Sequence, residues 1–157
     1  AAVAGYPMYR GVARLVGMKP LETGSELADA LETIEQAWKD YDYFFVHTKQ
    51  TDSAGEDGDF ARKVALIEEV DLLIPRLLDL EPDVVIVTGD HSTPSVMRMH
   101  SWHPVPVLVW SETCRPDGVS RFSEHDCITG ALGPRLPSTE LTPLALANAG
   151  WLEKFGA

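Results

Sequence analysis

Cysteine is scarce in this chain: Cys114 and Cys127 are the only two among 157 residues, and they lack a CxxC spacing. Two such residues build neither a disulfide framework nor a cysteine-type zinc site, and they fit a reducing, cytoplasmic compartment. Positive charge is scarce as well. Thirteen Lys and Arg stand against 24 Asp and Glu, a formal charge of −11. That balance argues against a nucleic-acid backbone or an anionic membrane as partner, since both would be repelled, and it leaves divalent cations as natural company. No apolar run approaches the ~20 residues of a membrane-spanning helix. The opening AAVAGYPMYR has no charged and apolar regions of a signal peptide and no initiator Met. It reads as the start of a processed chain, or as the later part of a longer one. Internal repeats and low-complexity segments are missing too.

What is present is an ordinary globular composition, with 45% hydrophobic and 24% charged residues. A chain of this length, read as a single domain over residues 1–157, hides roughly 70% of the surface its unfolded form exposes. Residues 6–18 predict a short helix ended near Gly17. From Ser25 to Asp40, Leu27, Leu31, Ile34 and Trp38 recur at helical spacing, with Thr23 and Glu26 as the expected capping box. DYFFVHT predicts a buried strand ending near His47, and QTDSAGEDGD a polar, Gly-rich loop. A helix is expected from about Asp59 to Leu80, with Phe60, Val64, Ile67, Val70, Ile74 and Leu77 on one face. Pro75 removes a backbone donor and should kink or interrupt it. Strands DVVIVTG and VPVLVWS (Val105 to Ser111) follow, then a helix from near Pro143 to Gly150. Continuous apolar strands alternating with helices predict an α/β chain whose mostly parallel sheet is flanked by helices.

In such sheets ligands bind beyond the carboxyl ends of the strands, and three groups of polar residues are expected there. The loop after DYFFVHT carries Asp52, Glu56, Asp57 and Asp59. DVVIVTGDH delivers Asp90 and His91. MHSWHPVP offers His100 and His103. Mixed carboxylate and imidazole donors suit manganese, zinc or magnesium, and paired ions serve phosphoryl chemistry. Each residue also has a plainer reading. Asp after Gly is a common turn residue, and a lone His is more often a hydrogen-bonded surface or core residue. For Asp57 and Asp59 a turn and a helix N-cap are the preferred reading. The coincidence of three loops on one edge favours a metal site.

The blocks TDSAGEDGDF, VTGDHSTP and HSWHPVPVL, in that order, resemble the metal-binding blocks of the cofactor-independent phosphoglycerate mutases. The branch they resemble is the archaeal-type one, within the alkaline phosphatase superfamily. YPMYRGVARLVGM and LANAGWLEKFGA are similar to that branch too, so the resemblance covers essentially the whole chain. It implies an alkaline-phosphatase-like fold, incomplete because the amino-terminal part is absent, and an enzyme interconverting 3-phosphoglycerate and 2-phosphoglycerate in glycolysis through a phosphoserine. It also implies two divalent ions: manganese, or magnesium, zinc or cobalt. By the resemblance, Asp52 and His100 bind one ion and Asp90 with His91 the second, with His103 a neighbour. Where many relatives carry a histidine four residues after that first Asp, this chain has Glu56, a carboxylate able to bind manganese or magnesium. Lys49, Arg10 and Arg115 are the basic candidates for gripping a small phosphorylated three-carbon acid, with solvated surface charge the preferred plain reading of each.

Family members are more than twice this long, and their first Asp ligand and nucleophilic Ser precede the region resembled here. Ser53, Ser92 and Ser101 all lie inside the ligand blocks, so no catalytic nucleophile is expected in this chain. The resemblance implies the carboxyl-terminal portion of an isomerase, inactive alone and completed by the missing amino-terminal part. Two other readings stand beside it. One is another metal-dependent phosphatase or phosphomutase of the same superfamily. The other is a non-catalytic α/β binding module whose acids are turns and caps.

Overall fold

Strands of only three to five residues alternate with helices along this chain. The computed structural model describes residues 1–153; the last four residues of the family-like ending, Lys154 to Ala157, lie outside the described residues. Two compact units divide the chain, residues 1–81 with 93–99 and residues 82–92 with 100 onward. Each is described by itself. Among the described residues, no helix is long and apolar enough to cross a membrane.

In the first unit, β1 (Ala2–Ala4) lies parallel to β2 (Phe45–His47), with Ala2 opposite Phe45 and Ala4 opposite His47. Parallel pairing needs a crossover, and α1 (Pro7–Leu15) and α2 (Leu27–Ala37) supply it. Pro7 opens α1, where its missing N–H is not needed, and Gly17 at φ 84° follows its end as expected. The core is small: Val3, Ala30 and Ile34 are buried, with Leu21, Trp38, Phe44, Leu77 and Leu80 packed around them. Trp38 stacks on Phe44 with ring centres 5.3 Å apart. The capping box of α2 sits three residues later than expected. Glu26 is the N-cap; its N–H donates to Asp29 Oδ2 at 3.1 Å while its side chain accepts from the Asp29 backbone. Gly24 lies against it, and a Cβ there would displace the Asp29 side chain that closes the box.

The stretch expected as a polar loop is instead a helix, α3 (Gln50–Asp57). Tertiary packing overrides its weak helical composition: Ala54 and Gly55 are buried. Gly58 at φ 74° closes the helix, with Asp59 N–H donating to Ala54 O at 2.9 Å, a glycine-terminated end that satisfies otherwise orphaned carbonyls. Next comes α4 (Phe60–Leu78), whose N-cap Asp59 accepts from Arg62 N–H at 3.0 Å, the capping role preferred from sequence. Pro75 does not interrupt this helix. Leu77 beyond it is held in the core, and Arg76 makes a forked ion pair with Glu35 at 2.7 and 2.8 Å, so packing offsets the one lost backbone bond. The expected apolar face is only partly covered, since Phe60 and Ile67 are exposed.

In the second unit, β3 (Val84–Thr88) and β4 (Val107–Ser111) pair antiparallel, Val84 opposite Ser111 and Thr88 opposite Val107. This corrects the parallel relation expected for these two strands. Residues 89–106 contain no helix to serve as a crossover; the chain doubles back instead, with a further antiparallel bridge between Ser92 and Ser101. The α/β class holds, with its parallel pair in the first unit. Two more helices follow, α5 (Glu124–Cys127) and α6 (Leu141–Asn148). Asn148 ties α6 to the end of β4 by accepting from Ser111 Oγ at 3.0 Å. The long connection between β4 and α6 is braced by Asp117, which accepts from Val119 N–H at 2.9 Å and Ala131 N–H at 2.8 Å.

Candidate metal centre

Because α3 is a helix, Asp52 and Glu56 stand one turn apart on the same side, the spacing at which side chains meet. Lys49 joins both. Its ammonium donates to Asp52 Oδ2 and lies 3.7 Å from Glu56 Oε2. The Asp52 bond, with the charges of Asp52 and Glu56 adding, holds the Lys49 ammonium above its ordinary range. The Tyr6 ring, 5.8 Å from Lys49 Nζ, adds a cation–π contact. The other Asp52 oxygen, Oδ1, accepts from Thr93 Oγ1. Asp52 has little exposure, whereas the Glu56 side chain is 47% exposed. In the first unit the candidate donors are therefore two carboxylates, Asp52 held by Lys49 and Thr93 and Glu56 close to Lys49.

In the second unit, β3 runs into Gly89 and then Asp90 and His91. Asp90 Oδ1 accepts from the His91 backbone N–H at 3.1 Å, and its Oδ2 lies 3.6 Å from His91 Nε2. Asp90 thus fills the turn role expected of an Asp after Gly, with its second oxygen beside the His91 ring. The rings of His91 and His100 face one another with centres 4.0 Å apart. Carboxylate and imidazole are donor types suited to a first-row divalent ion. His103 belongs to a separate contact: its Nδ1 is 2.9 Å from Ser101 Oγ and its ring stacks on Trp102.

Of the basic candidates, Arg10 pairs with Glu22, which raises the guanidinium's affinity for its proton and lowers the Glu22 carboxyl from its ordinary range. Arg10 and Lys49 line one cavity of about 410 Å³ in the first unit, together with Tyr6, Thr23 and His47. Arg115 is exposed in the connection after β4. Asp57 lies 3.8 Å from Arg62, in keeping with a surface role. Thr93 is the residue that sequence reasoning passed over. It sat inside GDHSTP as a turn residue, and nothing in the string distinguishes a buried hydroxyl bonded to Asp52 from an exposed one.

The chain is 54% identical to a protein of Thermotoga petrophila named "Probable 2,3-bisphosphoglycerate-independent phosphoglycerate mutase", over 99% of this chain and 39% of that protein. A protein of Aquifex aeolicus with the same name is 50% identical over 99% of this chain and 38% of its own length. The chain spans about 39% of the length of the curated relatives it matches, in their carboxyl-terminal portion. Among solved structures, the PH0037 protein from Pyrococcus horikoshii superposes with a TM-score of 0.91 at 34% identity, over 99% of this chain and 50% of that one. The profile described as "Metalloenzyme superfamily" matches residues 9–147, nearly the whole of this sequence, and the chain belongs to that superfamily.

Proposed function

We propose that the protein carrying this chain is a phosphoglycerate mutase, an isomerase interconverting 3-phosphoglycerate and 2-phosphoglycerate in the cytoplasm. The observation that carries this reading is the 50–54% identity, along essentially the entire chain, to relatives bearing that name. In this reading Asp52, Glu56 and His100 hold one divalent ion, and Asp90 and His91 hold the other. Manganese is the first candidate because the donors mix carboxylate oxygen with imidazole nitrogen. Bound ions of this kind make a hydroxyl nucleophilic at neutral pH and neutralise a phosphoryl group in transfer.

The residues of this chain have the remaining tasks. Lys49 and Arg10, which share a cavity, grip the anionic ends of the substrate by charge-assisted hydrogen bonds, and Arg115 is a further candidate. The phosphoryl group passes through a serine supplied by the portion of the relatives that this chain does not match. No serine here is offered for that step, since Ser53, Ser92 and Ser101 lie within the ligand blocks. The 157-residue chain by itself therefore gives no isomerisation.

The test is to incubate the full-length protein with 3-phosphoglycerate and, separately, with a generic aryl phosphate, before and after treatment with a chelator. Formation of 2-phosphoglycerate, abolished by chelation and restored by manganese, supports the proposal. Hydrolysis of the aryl ester without isomerisation assigns the protein to a phosphatase reaction of the same superfamily instead.

A further inference from the structure

We infer that Thr93 is a positioning residue for Asp52, acting through its hydroxyl to fix how that carboxylate is presented to a divalent cation. The inference rests on the reading of Asp52 as a metal ligand. Thr93 is 3% exposed, and a hydroxyl at such a site must spend its single proton on a specific acceptor. That acceptor is Asp52 Oδ1. The other carboxylate oxygen accepts from Lys49, which leaves Thr93 as the neutral donor on Oδ1.

Two further contacts hold Thr93 itself. Its carbonyl accepts from Lys63 Nζ at 2.6 Å, which anchors the backbone from α4. Its methyl group and carbonyl pack on the buried face of α3 at Gly55, where a Cβ would come within 3.0 Å of Thr93 Cγ2 and 2.3 Å of Thr93 O. A β-branched residue wedged in this way has little freedom about χ1. The hydroxyl is thereby aimed, and groups that orient metal ligands in this manner govern metal affinity although they never touch the ion. The hydroxyl and the methyl are also separable: one bonds Asp52, the other packs on α3.

The experiment is a calorimetric titration of manganese into the full-length protein and its variants, with thermal melting in chelator as the measure of folding. Thr93→Val keeps the shape and the methyl but removes the donor, and should weaken manganese binding about 10- to 100-fold. Thr93→Ser keeps the donor, loses the methyl, and should bind close to the parent even if its melting temperature falls. The opposite order, Val binding as the parent and Ser weakened, assigns Thr93 to packing alone and overturns the inference. Should Thr93→Val not fold, Thr93→Ala against Thr93→Ser isolates the same hydroxyl, and equal affinity of those two overturns it. Asp52→Asn separates the underlying reading. If it binds manganese as the parent does, Asp52 is no ligand and both readings fall; if it binds weakly while Thr93→Val does not, only the role of Thr93 fails.

Discussion

Asp90 shows how one side chain serves two purposes. One oxygen shapes the turn by accepting from the His91 backbone, and the other faces the His91 ring. Replacing it with Asn retains an acceptor for the turn but removes the charge that a cation needs. Asp90→Asn should therefore fold like the parent and bind manganese at least about tenfold more weakly, as read by calorimetry. A pure turn residue would leave affinity unchanged. Asp117 is the second residue with a clear electrostatic signature. The backbone N–H groups of Ala131 and Val119 favour its charged form and hold its carboxyl below the ordinary range. A carboxyl that is more acidic when folded stabilises the fold above its unfolded value of about 3.9, and that contribution disappears as the pH falls through the lowered folded value. Thermal melts of the parent and Asp117→Ala should differ at pH 7 and converge as the pH drops below about 4.

At the scale of elements, α3 decides the most. The string QTDSAGEDGD is polar and contains two glycines, so it reads as a loop. Its helicity comes from contacts distant in sequence, which no local pattern encodes. Gly55 is the clearest case, because the Thr93 carbonyl occupies the space a side chain would need. Gly55→Ala should cost about 1–3 kcal/mol by overpacking, despite alanine's better helix propensity, and denaturant unfolding would measure it. The other helices were largely legible. The stripe of Leu27, Leu31 and Ile34 matches α2 because those residues line the buried side of a helix of ordinary length, and Ala30 and Ile34 do reach the core. The capping box was misplaced because Thr23, Glu26 and Asp29 all offer acceptors at the same interval; in the fold Glu26 and Asp29 are the pair that closes. The direction of β4 was missed for a related reason. Parallel and antiparallel strands carry the same apolar run when they are well covered, and the intervening residues 89–106 had to be recognised as lacking a crossover helix. Of the candidate site, the sequence offers the carboxylates and imidazoles as residue types, whereas the Thr93 hydroxyl bonded to Asp52 has no local signal.

For the molecule as a whole, the surplus of acids gives a charge of −11, and any bound divalent cation offsets part of it. A cation that binds the folded chain and not the unfolded one raises the melting temperature by mass action, with about 2.7 kcal/mol gained at a hundredfold excess over its dissociation constant. Manganese should therefore raise the melting temperature of the full-length protein in a dose-dependent way, and less so for Asp90→Asn. A cation acting only by screening surface charge would raise parent and variant alike. Membership of the superfamily was legible because TDSAGEDGDF, VTGDHSTP and HSWHPVPVL occur in order along one chain, and a profile over residues 9–147 confirms it.

Lys49 carries a consequence for how the site is filled. Its ammonium already lies against Asp52 and close to Glu56, so the chain brings its own counter-ion to the pair. In the proposed reading of Asp52 and Glu56 as ligands, metal uptake at α3 would be an exchange, in which the ammonium gives way to a divalent ion at the oxygen that Thr93 does not hold. Two neighbouring carboxylates never face each other bare, and a chelated protein need not lose its shape. Far-UV circular dichroism of the parent should stay constant through chelation, whereas Lys49→Met should lose helical signal when the metal is withdrawn and recover it when manganese returns.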